Sequence, residues 1–319
     1  MIITVTLNAA IDKSLSVPSF RLGRRHRTVE SRALAGGKGV NVARMLKTLG
    51  EPVIATGFVG GPTGTQIVAQ LAEESILHDF VRVREESRTN TSVVDPATGE
   101  QTEINEQGPA IAADEVEQFR EKLLYLARGA AIVVLAGSLP RGIEPDFYAQ
   151  LLRELRKRDV TTVVDTDGEA LRLAVRAEPD VVAPNLVEAE ELVGHEFNDD
   201  GDRISAVREI VSMGARSAIM TLREGCWAQV LVDGAPQLYH VTVPEVEAVA
   251  TVGSGDAFLA GYLASRYRGL PPAECLRFGV ACGAESTGRL GAGLIDVREV
   301  DRLLGGVVAT GIEVPAGAR

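Results

Sequence analysis

The chain has 319 residues, 45% of them apolar and 24% charged, enough for one substantial α/β core and not the composition of a disordered chain. Its 44 Asp and Glu against 33 Lys and Arg leave a net charge of −11, which argues against nucleic acid or an anionic membrane as the main partner. No stretch approaches the roughly 18 continuous apolar residues of a membrane span, and the opening MIITVTLNAAID lacks a basic segment followed by an apolar one, so a cytoplasmic protein without a secretory signal is expected.

Residues 12 to 35 are polar and basic and read as part of a small second sheet. The run Ala35-Gly36-Gly37-Lys38-Gly39-Val40-Asn41 follows, with Val42, Ala43, Leu46 and Leu49 at near-helical spacing and Gly50 as a stop. Glycines thus open a helix. Its free N–H groups, its positive dipole end and Lys38 suit a phosphate or a sugar hydroxyl, against the plainer alternative of a solvated lysine on a glycine turn. The run is not a Walker A loop, because Arg32 stands where Gly is needed and Gly39 where Ser or Thr is needed. Residues 81 to 107 carry alternating TSVVD and TEI runs around the turn Pro96-Ala97-Thr98-Gly99, again strands of the small sheet.

From about residue 110 onward, short apolar runs alternate with stretches of helical periodicity, such as Val116, Phe119, Leu123 and Leu126, in a βαβ pattern. AIVVLAG (131 to 137), TTVVDTDG (161 to 168), DVVAPN (180 to 185) and SAIMTL (217 to 222) have continuous rather than alternating apolar residues, which predicts buried parallel strands. In a doubly wound sheet, ligands sit beyond the carboxyl ends of the strands, so Gly137-Ser138, Asp165, Asn185 and Thr221 should converge on one cleft. WAQVLVDGAPQLYHVTV predicts an antiparallel hairpin around Asp233-Gly234 at the sheet edge. The three cysteines, Cys226, Cys275 and Cys282, are too scattered for a disulfide framework or a zinc site. The Gly/Ala-rich tail after Leu304 reads as a loose end.

A second glycine-rich element, Thr251-Val252-Gly253-Ser254-Gly255-Asp256-Ala257-Phe258, also opens a helix and places an acid in its first turn. Asp256 there is either plain helix electrostatics or a carboxylate within reach of an attacking hydroxyl, with neighbouring N–H groups holding a moving phosphoryl group. Phe258 where Gly is required excludes the dinucleotide fingerprint.

GGKGVN and VGSGDAFLAGYLA together resemble the two signatures of the ribokinase-like sugar kinases, the phosphofructokinase B family. The resemblance spans nearly the whole chain, from Leu7-Asn8-Ala9-Ala10-Ile11-Asp12 through Gly57-Phe58-Val59-Gly60 and Gly137-Ser138-Leu139-Pro140. It implies a doubly wound, mostly parallel sheet flanked by helices in a single domain, with a small β-sheet lid drawn from about residues 12–35 and 85–107. It also implies an ATP- and Mg²⁺-dependent kinase. Lys38 within GGKG, Arg88-Thr89-Asn90-Thr91, and Glu103 to Pro109 are similar to the 1-phosphofructokinase and tagatose-6-phosphate kinase branch, whose substrates already carry a phosphate that added positive charge would hold.

On this resemblance Asp256 is the base, with Gly253, Ser254 and Gly255 holding the phosphoryl group. Asp12, Gly37, Lys38, Asn41, Arg88 and Ser138 hold the sugar phosphate, while Asn185, Thr221, Gly225 and Gly283 lie against the nucleotide. Glu188 of Asn185-Leu186-Val187-Glu188 stands in the family's N-x-x-E motif, associated with magnesium and phosphate, although Asn followed three residues later by Glu is also a capping box. Departures are Ser254 and Ala257 for the usual Ala and Ser, Ala9 for the usual Pro, and the charged loop Leu222 to Cys226 for a glycine-rich one, which bears on nucleotide preference. A homodimer pairing lids, a kinase of a neutral sugar or nucleoside, and a non-catalytic sensor on the same cleft stay open.

Overall fold

The computed structural model describes residues 1–246, 252–289 and 291–312. Its centre is built from strands whose residues are buried throughout, such as Ile2–Thr6 and Ile132–Ala136, because helices cover both faces of the sheet they form. The strand order runs Val308–Ile312, Ala235–Thr242, Gly225–Val232, Ala218–Leu222, Val181–Val182, Thr161–Asp165, Ile132–Ala136, Ile2–Thr6, Val53–Gly60, Leu77–His78, with Val81–Val83 also on Val53–Gly60. Successive side chains sort to opposite faces. Ile2, Ile132, Val134, Val163 and Val181 join one core, while Ile3, Val5, Val133, Leu135 and Val164 join the other.

A separate four-stranded sheet orders Glu30–Gly36, Ala10–Ser16, Arg88–Val94 and Gln101–Asn105. Its register sets Asp12 opposite Asn90 and Asn90 opposite Asn105, with Ser14, Ser92 and Glu103 in the next row. Period-two alternation puts these polar residues on one face, and that face lines a cleft.

The ribokinase-like expectation, a mostly parallel sheet with helices on both faces and a small second sheet, is met. Three expectations change. The hairpin around Asp233 (φ 52°) and Gly234 (φ 80°) forms as a tight turn with both residues left-handed, but it is not the edge. Val308–Ile312 pairs antiparallel outside Ala235–Thr242, so this part of the chain after Leu304 is a strand and not a loose end, while residues 313–319 of that tail lie outside the described residues. The βαβ alternation also begins well before residue 110, since Ile2–Thr6 lies between Val53–Gly60 and Ile132–Ala136, parallel to both. Among the described residues, no helix is long and apolar enough to cross a membrane, and the three cysteines are free and buried.

Candidate active site

The parallel strands end in register at Thr6, Ala136 and Asp165. Beyond these ends lies a cleft of about 1080 Å³, and every candidate named from the sequence lines it: the glycine elements, Asp12, Lys38, Asn41, Arg88, Ser138, Asn185, Glu188, Thr221, Gly225, Gly283 and Asp256. Thr251, at the head of the second element, lies outside the described residues.

Two helix starts face the cleft. The helix Lys38–Thr48 begins after Gly37, whose φ of 97° and whose closeness to Thr6 exclude a side chain: a Cβ there would stand 2.7 Å from the Thr6 methyl. The helix Ser254–Tyr267 begins after Gly253, φ 85°, where a Cβ would stand 2.7 Å from that of Ala292. Gly255 differs, because a Cβ there would meet nothing within 4 Å. Space for a ligand therefore opens directly at the residue before Asp256.

The charges are arranged around Lys38. Its Nζ donates to Asp165 Oδ1 at 2.7 Å and to Glu188 Oε1 at 3.3 Å. Burial opposes the Lys38 charge, but Asp165, Glu188 and Asp256 outweigh it and hold the ammonium protonated beyond the ordinary lysine range. Asp256 is 6% exposed. Burial, with Asp165 nearby, pushes its carboxyl up to about 7, against the pull of Lys38 and of the Asn41 amide. Asn41, expected on the sugar, donates from Nδ2 to Asp256 Oδ2 at 2.8 Å. Its amide thus holds the candidate base itself.

On the small sheet, Asp12 Oδ1 accepts from Asn90 Nδ2 at 2.9 Å and Asp12 Oδ2 from the Gly37 N–H at 3.4 Å. Arg88 crosses from that sheet to donate to the carbonyls of Asn8 and Glu106, each at 3.1 Å. Burial lowers its pKa from the free arginine value, with Asp12 and Glu106 opposing. Asn8 Nδ2 reaches the Gln107 carbonyl at 3.1 Å and Ser138 Oγ at 3.3 Å, tying residues near three strand ends together.

The capping box at Asn185 forms: Asn185 Oδ1 accepts from the Glu188 N–H and Glu188 Oε2 from the Asn185 N–H, both at 2.9 Å. Glu188 Oε1 at the same time faces Lys38, so the cap and the cleft share one carboxylate. Burial raises the Glu188 pKa, with Lys38 opposing. Thr221 bridges to Asn185, its N–H donating to the Pro184 carbonyl at 3.0 Å. Gly225, φ 144°, allows the approach of Val241, whose carbonyl would lie 1.9 Å from a Cβ there. Gly283 sits inside the helix Pro272–Ser286, where a Cβ would stand 3.3 Å from the Ser254 carbonyl oxygen, so it also sets how closely that helix backs the second glycine turn.

Two glycine-opened helices around a buried acid and a lysine, closed by a polar second sheet, make a phosphoryl-transfer geometry, and residues 5–298 match the pfkB family of carbohydrate kinases. The chain belongs to that family. It is 31% identical over 304 residues to a 1-phosphofructokinase of Borreliella burgdorferi, covering 95% of this chain and 96% of that one. It is 34% identical over 265 residues to a tagatose-6-phosphate kinase of Staphylococcus epidermidis, covering 82% and 84%. Among solved structures, phosphofructokinase-2 from Escherichia coli in complex with potassium superposes with a TM-score of 0.87 at 30% identity, covering 95% and 98%.

Asp165, Asn8 and Asn90 stand at the centre of the kinase's hydrogen-bond network; Asp165 was expected in the cleft as a strand-end residue but without a role, and Asn8 and Asn90 were not expected as site residues. Asp165 carried a signal, as the only acid ending the buried run TTVVD; Asn8 and Asn90 lay inside quoted motifs, but their partners are tertiary. Glu188 and Asp165 offer hard carboxylate oxygens, but no group of three such ligands occurs among the described residues. Such a set fits Mg²⁺ shared with nucleotide phosphates, its usual mode, rather than an all-protein cage.

Proposed function

We propose that this kinase transfers a phosphoryl group from ATP, as its Mg²⁺ complex, to a free hydroxyl of a ketohexose phosphate, such as fructose 1-phosphate, fructose 6-phosphate or tagatose 6-phosphate, giving the 1,6-bisphosphate. The observation that carries this reading is Asp256: a buried carboxylate with a pKa raised to about 7, beside an open glycine at a helix start. Such a group takes the hydroxyl proton near neutral pH. The Gly253, Ser254, Gly255 and Asp256 N–H groups face charge developing on the phosphoryl oxygens. Bound Mg²⁺ supplies charge neutralisation between the nucleotide phosphates, with Glu188 the residue that would hold it, directly or through water. Asn185, Thr221, Gly225 and Gly283 border the nucleotide.

Lys38 and Arg88 are the cations of the sugar end, with Asp12, Gly37 and Ser138 against the hydroxyls, and the names of the relatives above support a phosphorylated acceptor. The whole chain acts as one kinase domain in the cytoplasm, with the four-stranded sheet as a lid that excludes water and as the face through which two copies would pair.

A coupled ADP-release assay over the three hexose phosphates and their unphosphorylated sugars tests this. Asp256→Asn should lose about 10² to 10⁴ in turnover. Wild-type turnover by that variant would remove the base, turnover of neutral sugars alone would remove the phosphate specificity, and binding without any turnover would make the protein a sensor.

A further inference from the structure

Asn41 reaches Asp256 with its amide N–H, and an asparagine amide has two nearly isosteric ends. Something must decide which end faces the base. One turn on, Arg44 lies 5% exposed, with Nε and both terminal nitrogens of its guanidinium in contact with acceptors. Nε and one terminal nitrogen hold the two oxygens of Glu74 at 2.5 and 3.1 Å, and that same terminal nitrogen donates to the Ala35 carbonyl at 2.7 Å. The other terminal nitrogen points at Asn41 Oδ1 from 3.5 Å. Gly293 closes this pair from the far side, since a Cβ there would stand 2.9 Å from that nitrogen and 3.0 Å from Asn41 Oδ1.

We propose that Arg44 is a positioning residue: by offering only donors to Asn41, it fixes the amide so that its N–H faces Asp256 Oδ2, leaving the other carboxylate oxygen as the proton acceptor in turnover. This rests on the base assignment above. In the step itself, the substrate O–H bond breaks, its proton goes to Asp256 Oδ1, and the oxygen forms its bond to phosphorus as the nucleoside diphosphate leaves. With the amide reversed, Asn41 Oδ1 would face Asp256 Oδ2, a contact that is favourable only when that oxygen carries a proton. Reversal therefore holds the base in its inactive, protonated form. The charged groups bearing on Asp256, namely Lys38, Asp165 and Asp12, stay in place in either arrangement.

The test is the turnover number of wild type, Arg44→Met, Arg44→Lys, Glu74→Gln and Asp256→Asn from about pH 5.5 to 9.5, using whichever hexose phosphate turns over fastest. Arg44→Met should move the acid limb upward by about one pH unit, a tenfold loss on that limb that recovers at alkaline pH, because a hydrogen bond to the charged form has been replaced by one to the neutral form. Arg44→Lys, keeping one donor, should shift it less. A merely structural role would lower turnover evenly across pH. A folded Arg44→Met with an unmoved limb overturns the proposal. If that variant does not fold, Glu74→Gln, which loosens the guanidinium, must show a smaller shift in the same direction, and an unmoved limb there overturns it too. Full turnover by Asp256→Asn sinks the base assignment and this proposal together, whereas an inactive Asp256→Asn with unmoved limbs sinks the Arg44 role alone.

Discussion

Replacing Lys38 with Met keeps the length of the side chain and removes its charge from between two carboxylates. The Lys38 side chain is 31% exposed, while those of Asp165 and Glu188 are 6% and 13% exposed, so the variant strands two largely buried acids. Breaking a fully buried pair costs about 3 to 5 kcal/mol; with the lysine near a third exposed, a loss of about 2 kcal/mol in stability is expected. The binding effect is separate. A charge-assisted hydrogen bond to a phosphate contributes about 1.5 to 3 kcal/mol, so KM for the hexose phosphate should rise about 10- to 100-fold. Lys38 also pulls the Asp256 pKa down, so its loss should move the acid limb of turnover to higher pH. Steady-state kinetics on the hexose phosphate and on its unphosphorylated sugar separate these effects. An unchanged KM for the phosphate beside a shifted pH limb would refute Lys38 as a phosphate ligand and leave it as a partner of the carboxylates.

Three further outcomes follow from single contacts. Asp256 has its pKa raised on folding, so the folded state pays an increasing cost as pH climbs from the ordinary aspartate value toward about 7. Asp256→Asn should accordingly be more stable than wild type by a few kcal/mol at about pH 8 and gain nothing near pH 4, as read by urea midpoints. Gly255→Ala has open space for its methyl, so its melting temperature should hold while turnover falls about 10²-fold, because the methyl enters the cleft; a matching loss of stability would place Gly255 in the fold instead. Arg268 donates to Glu51 Oε1 at 2.6 Å and to the Leu49 carbonyl at 2.7 Å, and Glu51 is 8% exposed, so Arg268→Ala should cost about 2 to 3 kcal/mol in chemical denaturation with turnover unchanged.

What was legible in the sequence was local. Gly37 and Gly253 announce helix starts because their backbone conformations admit little else, and the strand ends at Ser138, Asp165, Asn185 and Thr221 fall in one cleft because parallel register forces them to. Partners were not legible. Lys38 reads as a free cation for a phosphate until Asp165 arrives from 127 residues away. Nothing local to Asn41 announces its bond to Asp256, 215 residues away. Ile2–Thr6 escaped the βαβ pattern because Thr4 and Thr6, both fully or nearly fully buried, make the run look alternating. Val308–Ile312 escaped because a glycine interrupts it and because its strand partner, Ala235–Thr242, is set by tertiary structure.

The Asn41 to Asp256 bond also explains why the two glycine elements mean more together than apart. Each alone is a helix start with a charge near it, and either charge has a bland reading: a solvated lysine, or an acid on a helix dipole. Joined, the readings exclude each other. A lysine engaged with Asp165 and Glu188 is not a free surface cation, and an aspartate that is 6% exposed with a pKa near 7 is not explained by the dipole, which would favour its ionised form. Burial that costs the folded state stability at neutral pH fits the proposed base, a group that must both lose and take a proton, and the amide that holds Asp256 comes from the helix that also carries Lys38.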